Sequence, residues 1–159
     1  MNADSARLIF QSVARGADSI SGVQLTEVLQ LLGWRQQSRH EIQISQLLEI
    51  MDCRLQIDFQ RFLHLYYVVI RADFHDVCSV LFYLQDTMHL GTIDQLDFFL
   101  ILRYLGLQTT REEVAELCGG VTELTAEFYF TLVSVLRQAL LQTVRSNTSA
   151  QIAGADARL

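Results

Sequence analysis

Short polar segments with a central apolar residue recur along this chain, and each comes just before a helix-like pattern. The four segments are Ser19-Ile20-Ser21, Gln56-Ile57-Asp58, Thr92-Ile93-Asp94 and Glu123-Leu124-Thr125. Internal repetition points to a repeated supersecondary unit, and it constrains the fold more than any single motif does. We therefore predict an all-α fold of four helix–segment–helix units, with about eight helices in total.

Helix boundaries are predicted from the spacing of apolar residues and from residues that cap helices. Helices are predicted over residues 2–13, 23–32, 59–70, 74–85, 95–105 and 126–144. Two further helices are predicted from capping-box spacing, in which a Ser or Thr precedes a Glu by three residues. One begins at Ser38 and Glu41 and continues to Met51, and the other begins at Thr110 and Glu113.

Composition excludes several classes of protein. Half of the 159 residues are hydrophobic, which is ample for a core and excludes a largely disordered chain. The net charge of −6 argues against a general nucleic-acid-binding function, which needs a basic surface. The longest apolar run, from Phe62 to Ile70, is shorter than the roughly 20 residues of a membrane span. The three cysteines are predicted to be reduced and buried.

The third segment lies inside a stretch with the spacing of a calcium-binding loop. In such a loop of 12 residues, oxygen ligands come from positions 1, 3, 5, 7, 9 and 12, and glycine occupies position 6. Counting from Asp86 as position 1 puts Gly91 at position 6, Ile93 at position 8, Asp94 at position 9 and Asp97 at position 12. The first unit repeats the spacing, with Ile20 at position 8.

This arrangement resembles the EF-hand proteins of the calmodulin, troponin C, centrin and myosin light-chain family. The resemblance covers residues 7 to about 140 and includes the run from Leu105 to Leu117, which is similar to the family's linker between the third and fourth hands. It implies two lobes of paired EF-hand-like units, with short β-bridges between paired loops. The predicted lobes are residues 1–71 and 72–145, followed by a tail at 146–159.

The ligand positions depart from the family's pattern, so no metal cofactor is expected. Arg15 occupies position 3 of the first loop, Arg61 ends the second, and about six residues follow Gly120 before the next helix. In the third loop Met88 and Leu90 replace ligands. The remaining acids, Asp86, Asp94 and Asp97, form a vestigial loop whose acids we expect to cap a helix start, with at most weak calcium binding.

The resemblance also implies a groove in each lobe that holds a helix of another protein. The implied groove residues are Leu25, Leu29, Leu47, Phe62, Leu65, Tyr66, Phe82, Phe98, Leu102, Leu117, Phe128 and Leu132. Methionine, which gives promiscuous sensors their adaptable grooves, occurs only three times. Stiffer Leu, Phe and Tyr side chains favour one dedicated partner.

These observations predict a calcium-independent, light-chain-like subunit that grips an amphipathic, basic, IQ-like helix. The helix would belong to a motor, axonemal or cytoskeletal assembly, which implies a cytoplasmic location. No catalytic residues are predicted, because the chain has no phosphate loop, nucleophile elbow or HExxH motif. Two alternatives are a calcium sensor with one weak site in the third hand and a standalone scaffold protein.

Overall fold

The computed structural model describes residues 3–139, and most of them are helical. The helices are α1 (Ala3–Ala14), α2 (Gly22–Leu31), α3 (Ile44–Ile50), α4 (Phe59–Arg71), α5 (Val77–Gln85), α6 (Gln95–Tyr104), α7 (Arg111–Cys118) and α8 (126–139). The strands are β1 (Ser19–Ile20), β2 (Ile57–Asp58), β3 (Thr92–Asp94) and β4 (Glu123–Thr125). This mostly helical structure agrees with the predicted all-α class.

The four repeated segments are the four strands, and they pair two by two. Strand β1 pairs with β2 in antiparallel orientation, with Ile20 opposite Ile57. Strand β3 pairs with β4 in the same way, with Ile93 opposite Leu124. All four of these side chains are buried, at 3% exposure or less. Each pair of apolar residues therefore anchors two loops to each other through both backbone pairing and burial.

Polar side chains at the ends of the strands begin the helices that follow. Ser21 accepts a hydrogen bond from the Gln24 amide at 3.2 Å, and Asp58 accepts one from Arg61 at 2.8 Å. The predicted Thr110 cap is confirmed, since its hydroxyl accepts from the Glu113 amide at 3.1 Å. These caps satisfy amide groups that have no partner inside a helix.

The predicted helix start at Ser38 is wrong, because α3 begins six residues later, at Ile44. The side chain of Gln36 accepts a hydrogen bond from the Ile44 amide at 2.9 Å, so a residue outside the helix caps it. His40 is also engaged locally: its Nδ1 accepts from the Gln37 amide at 3.2 Å. Side chains in residues 36–43 therefore form hydrogen bonds with nearby backbone groups, which competes with helix formation in this segment.

Helix α5 likewise begins later than predicted, at Val77 and not at Phe74. The side chain of Asp76 caps it by accepting from the Cys78 amide at 3.0 Å. Phe74 is buried in the preceding turn, where its ring lies 5.1 Å from that of Trp34, and its carbonyl accepts from the Glu41 amide at 2.9 Å. Phe74 thus contributes to the core from outside the helix.

Contacts divide the described part of the chain into two compact units, with the division between Gly91 and Thr92. The first unit includes α5, which packs against α4. The sequence grouped α5 with the residues that follow it; the predicted lobes 1–71 and 72–145 stay a prediction, and residues 140–145 and the predicted tail lie outside the described part of the chain. In the second unit α6 packs against α7, and β3 packs against β4.

Aromatic residues form much of the core of the first unit. The fully buried ring of Phe62 lies 5.4 Å from Phe10, 6.1 Å from Phe59 and 6.1 Å from Tyr66. In the second unit Phe98 and Tyr129 are both fully buried and meet edge to face at 5.7 Å. Such pairs contribute through burial and through favourable ring geometry.

The described residues also bear on two composition-based predictions. The three cysteines are confirmed as unpaired and buried: Cys53, Cys78 and Cys118. Burial raises the pKa of the Cys53 and Cys118 thiols, which keeps these groups in the unreactive thiol form at neutral pH. No helix within residues 3–139 is both long and apolar enough to cross a membrane.

The central position of Phe62 gives a test of the core. We expect Phe62→Ala to lower the free energy of unfolding by about 3–5 kcal/mol, because it removes a fully buried ring and leaves a cavity. Leu55→Ala is the control, since Leu55 is 87% exposed and its loss should change stability by less than about 0.5 kcal/mol. Urea unfolding followed by circular dichroism measures both, and equal effects would contradict this account of the core.

Candidate functional site

The first acid of the third loop is occupied by donors from within the protein. Asp86 is 2% exposed and ends α5. One carboxylate oxygen accepts from the Leu90 amide at 3.0 Å, and the other accepts from the Gly91 amide at 2.8 Å. The hydroxyl of Tyr67 in α4 donates to this second oxygen at 2.5 Å. A buried carboxylate with three donors is satisfied without a metal ion.

The tyrosine that contacts this carboxylate is held on several sides. Its ring stacks on His89 with centroids 4.0 Å apart, meets Tyr83 edge to face at 6.0 Å, and has the Arg71 guanidinium 5.9 Å from its centre. Burial, and then the hydrogen bond to Asp86, raise the pKa of Tyr67. Tyr67 therefore stays protonated and remains a donor at neutral pH.

Two histidines extend this polar cluster. His64 Nε2 lies 2.7 Å from the Leu84 carbonyl, which can only accept, so Nε2 carries the proton. The other nitrogen of neutral His64, Nδ1, is then an acceptor, and it lies 2.9 Å from His89 Nε2, which donates to it. His89 is exposed and has a φ of +56°. His64 thus ties α4 both to α5 and to the loop that follows α5.

The first loop is closed by a different internal contact. Gln24 occupies position 12 of that loop, and its amide Nε2 donates to the Val13 carbonyl, at position 1, at 3.2 Å. Its Oε1 accepts from the Ser21 amide at 2.9 Å. The side chain that would bind a cation in a calcium loop therefore joins the two ends of this loop directly.

The other acids of the third loop cap the helix that follows. Asp94 accepts from the Asp97 amide at 2.7 Å, and Asp97 accepts from the Asp94 amide at 3.2 Å. This reciprocal capping box is the helix-start role that the sequence predicted for them. Within residues 3–139 no group of three or more His, Cys, Asp or Glu side chains could hold a metal ion.

The second and fourth loops are held by contacts on their edges. In the second, Arg54 pairs with Glu49 at 2.7 Å, although both side chains are more than half exposed. In the fourth, the Val121 carbonyl accepts from the Gln95 side chain at 2.7 Å, which ties the loop to the start of α6. An exposed ion pair contributes little to stability, roughly 0–1 kcal/mol, so the second loop depends chiefly on strand pairing and burial.

The predicted groove residues fall into two groups in the structure. Eight are buried: Leu25, Leu29, Leu47, Phe62, Leu65, Phe82, Phe98 and Leu102. Four are half-buried: Tyr66, Leu117, Phe128 and Leu132. Those in the first group contribute to the cores as the chain stands, whereas the second group keeps some accessible apolar surface. A role for any of them in binding a partner stays a prediction.

The half-buried residues of the second unit include a stripe along α8. Phe128, Leu132 and Leu136 are spaced by four residues and are all half-buried, beside the buried Tyr129 and Val133. Residues spaced by four lie on the same side of a helix. One edge of α8 is therefore apolar and only partly covered within the described residues.

Sequence reasoning did not find Tyr67, Gln24 or the pairing of His64 with His89. Tyr67 lies inside an apolar run, and its acceptor is 19 residues further along the chain. The signal for Gln24 was present, since an amide at position 12 can donate as well as accept, whereas a carboxylate there only accepts. The histidine pair depends on how α4 meets α5, which local patterns do not specify.

The search of protein-family models and the search of curated proteins both find no match for this chain.

Removal of one hydroxyl tests the contact between Tyr67 and Asp86. We expect Tyr67→Phe to lower the free energy of unfolding by about 1–3 kcal/mol. The Asp86 carboxylate would lose one hydrogen-bond donor, and because it is buried, water does not take the place of that donor. Tyr104→Phe is the matched control: Tyr104 is 48% exposed, and its change should stay within about 0.5 kcal/mol. Thermal and urea unfolding of both variants provide the measurement, and indistinguishable variants would contradict the contact.

Acid should destabilise the first unit through two histidines. Burial lowers the pKa of His64 and of His40 below the ordinary 6.5, and His89 and His75, respectively, lower them further. The hydrogen bond to the Leu84 carbonyl and the charge of Asp86 oppose the shift of the His64 pKa, and Asp73 opposes that of His40. As the pH falls, these two histidines therefore become protonated in the unfolded chain before they do so in the folded chain. Stability is complete above about pH 6.5 and decreases as the pH falls toward the pKa of the folded state.

Urea unfolding at pH values between about 7.5 and 5 measures this dependence. In the variant that combines His40→Gln with His64→Gln, the decrease over this range should be smaller than in the original chain. Its stability at the upper end can differ for packing reasons, so the slope with pH is the quantity compared. A slope unchanged by the double substitution would show that other groups cause the dependence.

Proposed function

We propose that this chain is an EF-hand-like, calcium-independent binding subunit, similar in kind to a myosin light chain, that grips an amphipathic helix of a larger protein. Its four units each contain a loop between two helices, and their strands pair in two antiparallel sheets. Ile20 and Ile93 occupy position 8 of the first and third loops, where the sequence placed the bridge between paired hands.

The observation that carries the proposal is that two loops are closed by the protein's own donors. Gln24 joins position 12 to position 1 in the first loop. In the third loop, two backbone amides and the Tyr67 hydroxyl occupy the carboxylate of Asp86. A calcium ion would have to displace Tyr67 from Asp86 and would find Met88 and Leu90 at the next two ligand positions. Loops closed in this way need no ion, which favours constitutive binding.

The partly covered edge of α8 supports a binding surface for the partner. Phe128, Leu132 and Leu136 offer apolar contact, and aliphatic and aromatic side chains at this spacing suit the apolar face of another helix. Glu116 and Glu127 are exposed and adjoin Leu117 and Phe128 in the sequence. Carboxylates at the rim favour a basic partner mainly by steering its approach.

The proposal extends to the kind of assembly in which the subunit acts. The helix would be IQ-like and would belong to a motor, axonemal or cytoskeletal protein, so that the subunit works in the cytoplasm. The proposed role is structural, with no catalysis and no bound cofactor. An acidic chain of net charge −6 is compatible with a basic protein partner and not with nucleic acid.

Binding of a synthetic IQ-type peptide tests the proposal. We expect the peptide to bind the full chain with the same affinity in calcium and in EDTA, because the loops are closed without an ion. Leu132→Ala should weaken binding about 5- to 10-fold, as expected for truncation of one apolar contact. Val23→Ala is the control, since Val23 is 83% exposed on α2 and lies outside the predicted groove. Isothermal titration calorimetry measures all of these affinities.

Other outcomes of the peptide-binding experiment would support a different function or a different binding surface. Binding that requires calcium, together with a calcium heat that Asp86→Ala removes, would replace the proposal with the sensor that has one weak site. Absence of binding in both conditions, from a folded monomer, would favour a standalone scaffold. A loss of affinity in Val23→Ala equal to that in Leu132→Ala would reject the α8 edge as the binding surface.

A further inference from the structure

Helix α6 has a second apolar side that faces away from the core. Phe98, Ile101 and Leu102 are buried, with 1% exposure or less. Leu96, Leu100 and Tyr104 lie on another side of the helix, at a spacing of four residues, and are 46%, 45% and 48% exposed. We call these three residues the α6 stripe. Three large apolar side chains in a row, each nearly half exposed, form a contiguous patch and not scattered surface residues.

A cavity and two arginines border the α6 stripe. The cavity, of about 210 Å³, lies between α6 and α7 and is lined by Gln95, Leu96, Phe99, Arg111 and Val114. The guanidinium groups of Arg103 and Arg111 lie 5.7 and 5.8 Å from the centre of the Phe99 ring. Both cations therefore lie against the Phe99 ring, which lines the cavity and precedes Leu100 of the stripe in α6.

These two arginines lack carboxylate partners in the described part of the chain. The ion pairs found between residues 3 and 139 involve Arg54 and Arg61 instead. Asp97 is the acid of α6, and its carboxylate already accepts the Asp94 amide. The edge of the stripe that includes Phe99 therefore carries two guanidinium groups without an ion pair in the described part of the chain, although the whole chain is acidic and Glu112 and Glu113 follow Arg111 in the sequence.

We propose that the α6 stripe binds an acidic amphipathic helix of a second protein partner. Apolar residues of that helix cover Leu96, Leu100 and Tyr104, one of them enters the cavity beside Phe99, and carboxylates along one edge pair with Arg103 and Arg111. Apolar burial supplies most of the affinity, while the arginines set the sign of the charge that the surface accepts. This surface consists of residues other than those of the α8 edge and selects the opposite charge.

Charge also argues against a basic helix of the kind proposed for the α8 edge, because Arg103 and Arg111 would repel it.

Two synthetic helical peptides test the proposal with the full chain. Both have a leucine face, and the polar edge is glutamate in one and lysine in the other. We expect the glutamate peptide to bind at least about tenfold more tightly at low salt, with the difference shrinking as salt is added. Fluorescence anisotropy of labelled peptides measures the affinities, and equal affinities would overturn the proposal.

Substitutions then locate the binding surface. Leu100→Asp should weaken the glutamate peptide at least about tenfold, whereas Val23→Asp and Leu132→Ala should leave it unchanged. The variant with both Arg103→Glu and Arg111→Glu should prefer the lysine peptide. Circular dichroism checks that each variant is folded, which is expected because all but half-buried Leu132 are exposed. An effect of Val23→Asp equal to that of Leu100→Asp, or an unchanged preference in the arginine variant, would overturn the assignment.

Two further measurements separate this surface from the alternatives. Sedimentation that reveals a dimer of the original chain and a monomer of Leu100→Asp would assign the stripe to a second copy and overturn the proposal. Leu100→Asp should not alter the affinity for the IQ-type peptide, so failure at the α8 edge and failure at the α6 stripe produce different patterns of results.

Discussion

Backbone pairing between loops is the interaction on which the rest of this structure depends. Each loop contributes only two or three residues to a sheet, yet the pairing fixes where the following helix begins. The apolar residue at the centre of each strand is buried, so the pairing is coupled to the core and does not stand alone in water, where two-stranded sheets are marginal. The polar residue at the end of the strand then caps the helix.

Two loops of the chain are held closed by hydrogen-bond donors of the protein itself. A calcium ion organises a loop by drawing several oxygens together, which requires those oxygens to be left free when the ion is absent. Here Asp86 is buried and satisfied, and Gln24 uses both ends of its amide. Both loops are therefore stabilised by hydrogen bonds that do not depend on ion concentration.

Patterns within about ten residues were predicted well, and contacts between elements were not. The strand centres Ile20 and Ile93 followed from repetition, and the Thr110 cap followed from local spacing. The Ser38 cap was wrong, because Gln36 competes for the start of α3 through a contact that spacing rules do not include. Apolar character alone did not distinguish buried residues from half-buried ones, since buried Leu65 and half-buried Tyr66 are neighbours in the same apolar run.

All four histidines of the chain lie in the first unit, at positions 40, 64, 75 and 89, and the second unit has none. They meet in two pairs, His40 with His75 and His64 with His89. Histidine is the side chain whose ordinary titration falls between about pH 5 and 8. Protonation of His40 and His64 at mildly acidic pH therefore loosens the first unit, whereas the second unit contains no histidine that would respond in the same range.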